Sequence, residues 1–452
     1  MKKTTSLFKE STITLATRLA GFVFAMGTSI LIARLLGPAG KGSYSLILLT
    51  ANIVMLLVLF GLGSANVYYG AKDRTLLPCL IGNSILAAFG LGLASIGIVE
   101  LLSRSTAIQQ YYLDNSIELS QLKLFLLIVP LLLLKSYLVE IVRAAGNILH
   151  YNMLNLWQNV IGLAMILALV GFYRQDLSSA LVAWVLTIIF TFVPTLLVAL
   201  DTTGWSVRFN LPMLWQSLKF GARLHPGNIA QFLNYRLDIF LVGFFLTPFE
   251  IGIYATVTGL AEKLWEFPHA IRTVLLYRVA SEKQDKCAII TTTQVTRIIT
   301  IFMFLMCIIL ALLSRPLVLI LYGSEYISAT WPLIFLMPGV WSLSIGKLLA
   351  IHLAGIGKPE IGTLGAFVSL IFTGILDILL IPSIGVSGAA IASSTAYTIA
   401  TLFYLIVFIR ITETHFLDVL LIKHSDISSV RQKIKRQFKQ ISGSHLFKKG
   451  SA

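Results

Sequence analysis

The chain has 452 residues, of which 57% are hydrophobic and 12% charged, with a mean hydropathy of +0.85 and a formal net charge of +15. Water-soluble domains carry about 25% charged residues, so this composition excludes a protein held in water and makes lipid the main solvent. The positive charge raises the question of nucleic acid. Yet the Lys and Arg residues sit in short gaps between apolar runs, as the flanks of membrane segments do, and no folded basic domain gathers them; no nucleic-acid partner is expected.

The chain starts with MKKTTSLFKE and runs straight into an apolar stretch. That stretch is too long for a cleaved leader and no small-residue cleavage site follows, so it is read as a retained crossing. A helix needs roughly 20 apolar residues to cross a bilayer. Twelve segments meet this, near 11–34, 43–68, 77–101, 122–146, 154–172, 178–200, 219–246, 251–275, 297–320, 329–352, 361–382 and 386–409. Their connections are short and marked by breakers: GPAGKG, LTPFEIG, GIGKPEIG and IPSIGVSG. Cys79, Cys287 and Cys307 have no metal-ligand spacing and are read as reduced packing residues.

An even number of crossings puts both ends on one side. With the N-terminus in the cytoplasm, 23 of the 35 Lys and Arg fall on the cytoplasmic side and 6 outside. The remaining 6 (Arg18, Lys135, Arg223, Arg236, Lys263 and Lys347) lie within segments. Basic residues accumulate on the cytoplasmic side of bacterial membranes, so both ends are expected there. Beyond the last segment, RQKIKRQFK (431–439) with Lys448 and Lys449 is dense in positive charge. It reads either as contact with anionic headgroups or as a solvated tail.

The turn ARLLGPAGKGSYSL (33–46) recurs as FLTPFEIGIYATV (245–257). A shift of 210 places Pro38 on Pro248, Gly42 on Gly252, Tyr44 on Tyr254, Ala20 on Ala230 and Phe22 on Phe232. VRAAGN (142–147) and IHLAGI (351–356) echo each other after the fourth and tenth segments. The expected layout is all-helical: two six-helix lobes, 1–200 and 219–410, joined by a linker at 201–218 and followed by the tail 411–452. Six is even, so the pseudo-twofold axis runs along the membrane normal. Repeats of this kind are a transporter signature, with the substrate site between the halves.

ARLLGPAGKGSYSLILL resembles the first helical turn of the polysaccharide flippases, within the multidrug/oligosaccharidyl-lipid/polysaccharide exporter superfamily. HLAGIGKPEIGTLGAFVSLIFTGILDILLIPSIGVSGAAIASSTAY resembles the region of their last three helices. The resemblance covers 11–409 and implies a V-shaped pair of lobes around a central cavity. It also implies export of a polyprenyl-diphosphate-linked glycan to the outer leaflet of a bacterial cytoplasmic membrane, with other polysaccharide-assembly membrane proteins as neighbours. Asp377 departs from the pattern, standing where an amide or apolar residue is usual, and Tyr277 stands where a proline is common.

A cation within a crossing costs about 2.5–3.5 kcal/mol on insertion scales, so such residues are expected to serve a polar interior. Arg offers a planar fork and Lys a point charge to phosphate oxygens. Arg18, Arg223 and Lys347 are therefore expected to capture a diphosphate near the cytoplasmic side, with Lys135 near mid-membrane and Arg236 receiving it later. The competing readings are snorkelling for Arg18 and Arg223, and internal ion pairs for Arg236 and Lys347. Glu262, Glu266 and His269 follow i, i+4, i+7 spacing on one expected face, and with Asp238 and Asp377 they are candidates for coupling to H+ or Na+. Lys263 and Glu266 would instead neutralise each other. His225-Pro226-Gly227-Asn228 is expected to interrupt the seventh segment, with Pro226 and Gly227 as a hinge or a static kink. No phosphate loop, metal cluster or nucleophile triad appears, so neither a cofactor nor catalysis is expected. An ion-coupled multidrug or toxin antiporter of the same superfamily remains the alternative, with a membrane-embedded polymerase or transferase behind it; short outer loops argue against the latter.

Overall fold

The computed structural model describes residues 2–282, 285–421 and 423, and the basic stretch at 431–449 lies outside them. Among the described residues there is no strand. Nine helices among the described residues are individually long and apolar enough to cross a membrane. Local chemistry hides the other three of the twelve crossings. The first and second share one continuous helix, α1 (Lys2–Leu59), folded at Gly37 (φ 68°) and Pro38; α2 (Leu62–Lys72) completes the second. The seventh and eighth are each broken in mid-membrane, as described below.

α3 (Leu77–Leu102) is the third crossing, and α4 (Thr106–Asp114) lies across its exit. α5 (Leu119–Leu126) and α6 (Val129–Ala144) form the fourth. α7 (Ile148–Ile166), extended by a π-helical stretch, and α8 (Leu177–Asp201) close the first lobe. α9 (Leu211–Asn234) and α10 (Leu237–Phe245) form the seventh crossing, and α11 (Pro248–Ala261) and α12 (Glu266–Ser281) the eighth. α13 (Asp285–Leu312), the short α14 (Ser314–Leu321), α15 (Thr330–Gly355), α16 (Glu360–Ile384) and α17 (Val386–Thr412) complete the second lobe, with α18 (Phe416–Leu420) beyond it. We call the side holding Lys2 and Thr412 the near side, and the side holding the turns at Gly37 and Thr247 the far side.

The seventh crossing differs from expectation. α9 begins at Leu211 because the Asn210 side chain accepts from the Met213 N–H at 2.9 Å and Pro212 occupies the first turn. It then runs unbroken through Pro226 and ends at Tyr235–Arg236. The expected interruption at His225–Asn228 is therefore a helical stretch. Pro226 removes one backbone bond without ending the helix, and the real break comes about two turns later.

The repeated turns meet each other on the far side. A methyl at Gly42 would overlap the Pro248 carbonyl, and one at Gly252 would overlap the Pro38 carbonyl. The motif that repeats along the chain thus lies on the pseudo-twofold axis and packs against its own copy, with Tyr44 and Tyr254 buried beside it. Side chains from each lobe's far-side loop tie the seam to the other lobe's backbone. Asn115 Nδ2 donates to the Gly243 carbonyl at 2.9 Å, and Tyr326 Oη to the Ala33 carbonyl at 3.1 Å. Those two acceptors are themselves 210 positions apart. Tyr111 Oη donates to the Phe240 carbonyl at 3.0 Å, and Arg34 Nε to that of Leu321 at 2.8 Å. The far side is closed.

On the near side the lobes meet along one edge. Gly61 and Gly221 bring α2 and α9 into backbone contact, and Asn83 and Asn210 exchange two hydrogen bonds of 2.9 and 3.0 Å. Replacing Gly252 by Ala is expected to force the seam apart at a cost of about 1–3 kcal/mol, read as a lower melting temperature of the purified protein. Gly259→Ala, on the same helix but facing open space, is expected to leave it unchanged.

Candidate functional site

Three cavities line the space enclosed below the far-side seam, and the eighth crossing contributes to each. Its register changes where a 3-10 turn, Glu262–Trp265, joins α11 to α12. A 3-10 turn advances about 120° per residue against about 100° in an α-helix. The expected common face of Glu262, Glu266 and His269 is therefore split: each of the three borders a different cavity.

One cavity, about 210 Å³, lies between Tyr44, Asn52, Phe232 and Thr258. Arg236 and Glu262 pair across it through two hydrogen bonds, Nη1 to Oε1 at 2.6 Å and Nη2 to Oε2 at 2.9 Å. The break between α9 and α10 makes this possible, because Arg236 sits outside helical geometry (φ −137°) and turns toward α11. Of the two expectations for Arg236, the internal ion pair is the one present in this conformation; its fork holds a carboxylate and is closed to phosphate.

The second cavity, about 380 Å³, reaches the near-side loop at Pro359 and is lined by His269, Arg272, Lys347, Asn234 and Tyr404. Lys347 stands on α15 among buried neighbours. Its Nζ is shielded from solvent and has no hydrogen-bond acceptor. It rests on the Trp265 ring, 3.5 Å from the centroid, and 5.2 Å from that of Tyr235. Trp265 is fixed by its Nε1–H to the Val340 carbonyl at 3.1 Å and packs with Tyr235 and Tyr397. Ring faces offer about 2 kcal/mol or more to a desolvated cation, which holds the ammonium in place but does not neutralise it. Lys347 makes no direct ion pair, although Glu262 and Glu266 lie near enough to interact with it electrostatically.

The third cavity, about 310 Å³, opens between α1, α7 and α12 and is lined by Arg18, Tyr151, Asn152, Asn155, Asn159, Lys263 and Glu266. Arg18 and Glu266 are exposed toward it. Lys263 lies over the Phe22 ring, 5.4 Å from its centroid, and makes no salt bridge to Glu266.

Two expected ligands lie elsewhere. Lys135 is locked inside the first lobe, donating to Gln158 Oε1 at 3.0 Å and Thr191 Oγ1 at 2.5 Å, and reaches none of the three cavities. Arg223 is exposed on α9 and also borders none of them. Gly227 lines the 380 Å³ cavity beside Thr363, so the Pro226–Gly227 step shapes its wall.

The remaining acids are buried within the second lobe. Asp238, in the first turn of α10, accepts at Oδ2 from Tyr254 Oη at 2.6 Å and Ser393 Oγ at 3.2 Å, and at Oδ1 from the Ile239 N–H at 2.7 Å. Asp377 on α16 is fully buried, and neither carboxylate oxygen has a donor. The two carboxylates are close enough to interact electrostatically. Ser369 Oγ is also without a partner, and Thr373 reaches Asn234 at 3.4 Å. Trp265, Tyr235 and Arg272 were not among the expected site residues. Nothing in their local sequence distinguishes a cage wall from core, although Arg272 extends the spacing of Glu262, Glu266 and His269.

A family model described as "Polysaccharide biosynthesis protein" matches residues 31–331. The chain belongs to that family. Over 173 residues a protein from Haloferax volcanii is 22% identical, covering 37% of this chain and 36% of its own; it is described as a probable low-salt glycan biosynthesis flippase. An uncharacterized membrane protein of Methanocaldococcus jannaschii is 28% identical over 173 residues, covering 38% and 31%. The chain thus spans about a third of the length of these curated relatives. In fold, it is similar to a lipid II flippase in an inward closed conformation (TM-score 0.69, 17% identity, 88% of this chain and 90% of that one). An inward-facing multidrug resistance transporter gives a TM-score of 0.70 at 12% identity, covering 89% and 98%. A transporter of Vibrio cholerae gives 0.61 at 15%, covering 92% and 100%. This polysaccharide biosynthesis family member is thus a multi-pass helical membrane protein with the two-lobe transporter fold.

The paired charges make a stability prediction. Glu262→Gln and Arg236→Met are each expected to destabilise the purified protein by on the order of 2 kcal/mol, since each leaves an unpaired polar group. The double variant is expected to lose less than the sum, measured by thermal melting. Strict additivity would show that the pair does not interact.

Proposed function

We propose that this chain is a flippase. It carries a polyprenyl-diphosphate-linked oligosaccharide from the cytoplasmic to the outer leaflet of a bacterial cytoplasmic membrane by alternating access, and it serves surface-polysaccharide assembly. The observation that carries this is the Lys347 side chain: shielded, caged by aromatic rings, bordering a near-side cavity, and with its Nζ bonded to no acceptor. A mobile anionic cargo supplies the missing counter-charge. Arg272 in the same cavity and Arg18 in the next add cations along the near-side wall. The polyprenyl chain, being apolar, stays in lipid. In this reading the near side faces the cytoplasm, which the Lys and Arg asymmetry supports, and a structure tied together on its far side is the state that loads cargo. The glycan biosynthesis flippase description of one relative and the lipid II flippase fold support the same reading.

In this reading Asp238 and Asp377 carry the coupling cation, a proton or Na+. They border none of the three cavities and so lie apart from the cargo, as a driving ion requires. A drug antiporter would instead present mainly acids to its cationic cargo, and here Lys347, Arg272, Arg18 and Lys263 stand against one acid, Glu266, in the two near-side cavities.

Lys347→Ala with Arg18→Ala is expected to lower surface-polysaccharide export at least tenfold at matched expression; normal export would overturn the assignment. Asp377→Asn is expected to make transport in proteoliposomes indifferent to the H+ or Na+ gradient that drives the parent protein. An unchanged dependence on that gradient would remove the acids from coupling.

A further inference from the structure

The 310 Å³ cavity differs from the one at Lys347 in charge, because its lining includes an acid, Glu266, and the other's does not. Its wall on α7 is a ladder of amides, Asn152, Asn155 and Asn159, spaced by three and four so that they share one helix face. The other face of α7 exposes Met153 and Trp157, 42% and 47% accessible, as a lipid-facing surface does. An amide in a crossing carries a desolvation cost that aqueous space or a polar ligand must offset. Packing accounts for only part of the ladder. Asn152 donates to Thr14 Oγ1 at 2.8 Å, which fixes α7 to α1. Asn155 uses one N–H on the Tyr151 carbonyl at 2.9 Å and keeps its oxygen and second N–H. Asn159 lies over Gly21, where the lack of a side chain makes room for its Nδ2.

We infer that this cavity is the glycan-reading subsite, with Asn155 and Asn159 as specificity-determining residues for the sugar hydroxyls. The inference rests on the flippase reading above and adds which part of the cargo each lobe recognises. A hydroxyl both donates and accepts, and an amide is the side chain that presents both roles at once in a fixed plane. Both cavities carry amides, Asn228, Gln231 and Asn234 lining the one at Lys347; but there Lys347 and Arg272 face no acid and suit an anion, whereas here Glu266 stands among Arg18, Lys263 and Tyr151 and the wall both donates and accepts. The volume lies in the range of small-molecule sites, about 300–1,000 Å³. The two cavities share the eighth crossing: Glu266 faces one and His269, three residues on, faces the other. A cargo with a diphosphate joined directly to a sugar has its anionic and polyol parts about that far apart.

The test uses the full chain in nanodiscs and two probes. One is the host's own lipid-linked oligosaccharide, purified from membranes of a strain lacking this protein. The other is a polyprenyl diphosphate carrying no sugar. The Asn155→Leu, Asn159→Leu double variant is expected to bind the first probe at least tenfold more weakly and the second within twofold of the parent. The single Asn155→Ala variant, which leaves the Gly21 contact in place, is expected to show the same selectivity at smaller amplitude. Equal weakening for both probes, or none for either, overturns the subsite and leaves the flippase reading standing. A parent protein that binds neither probe saturably overturns the flippase reading itself.

Discussion

Hydrocarbon does not solvate charge, so each ionised group inside the bundle must find its partner within the protein or in something the protein carries. Most of the intramembrane groups follow this rule with protein partners. Arg236 grips Glu262, Lys135 bonds Gln158 and Thr191, Asp238 accepts from Tyr254 and Ser393, and Arg34 caps backbone carbonyls at the far-side seam. Lys347 and Asp377 do not. One is a shielded cation beside a cavity, the other a carboxylate buried in a lobe. They have opposite sign and different access. The simplest account is that two different mobile species complete them, an anion from the near side and a small cation within the lobe.

The fold is symmetric and the charges are not. A shift of 210 superposes the backbone turns and the seam acceptors at Ala33 and Gly243, yet it sets Arg236 on Met26, Asp238 on Thr28 and Glu262 on Asn52. Duplication supplies two similar lobes that can rock about a shared seam. Divergence at these positions places a cation and two acids in the second lobe where the first has the uncharged Met26, Thr28 and Asn52. The shared seam must stay tight for either arrangement, which is why glycine recurs at both of its contact points.

The sequence made the backbone-level features legible. Gly and Pro at 37–42 and 247–252 act through their own geometry, so the turns and their repetition can be read without knowing what surrounds them. Crossing number follows from length and hydropathy in the same way. Partner choice is different. Arg236 and Glu262 lie 26 positions apart, and Lys135 and Thr191 lie 56 apart, so nothing local selects one cation for pairing and another for solitude. The break of the seventh crossing was also misplaced. Pro226 is tolerated inside α9, while Tyr235–Arg236, with no Gly or Pro, ends it. A tertiary ion pair draws Arg236 out of helical geometry where no local breaker is present. The face assignment of Glu262, Glu266 and His269 failed for a related reason, since helical spacing holds only while the helix stays α.

That misplaced break gives the proposed coupling a physical route. Arg236 and Asp238 are two residues apart on the stretch where α9 gives way to α10, and they face different compartments. Arg236 turns to Glu262 in the cavity between the lobes, and Asp238 turns to Tyr254, Ser393 and the Asp377 region inside one lobe. In that proposal a cation arriving between the two carboxylates would draw Asp238 toward Asp377, and the short non-helical step at Tyr235–Arg236 would absorb the shift. The same movement changes how Arg236 meets Glu262, and Glu262 opens the 3-10 turn that ends at Trp265, the floor of the Lys347 cage. The chain of contacts from coupling ion to cargo cation therefore runs through one helix break, one ion pair and one turn. Each is a place where regular helix geometry is already interrupted, and so each can move without breaking an intact helix.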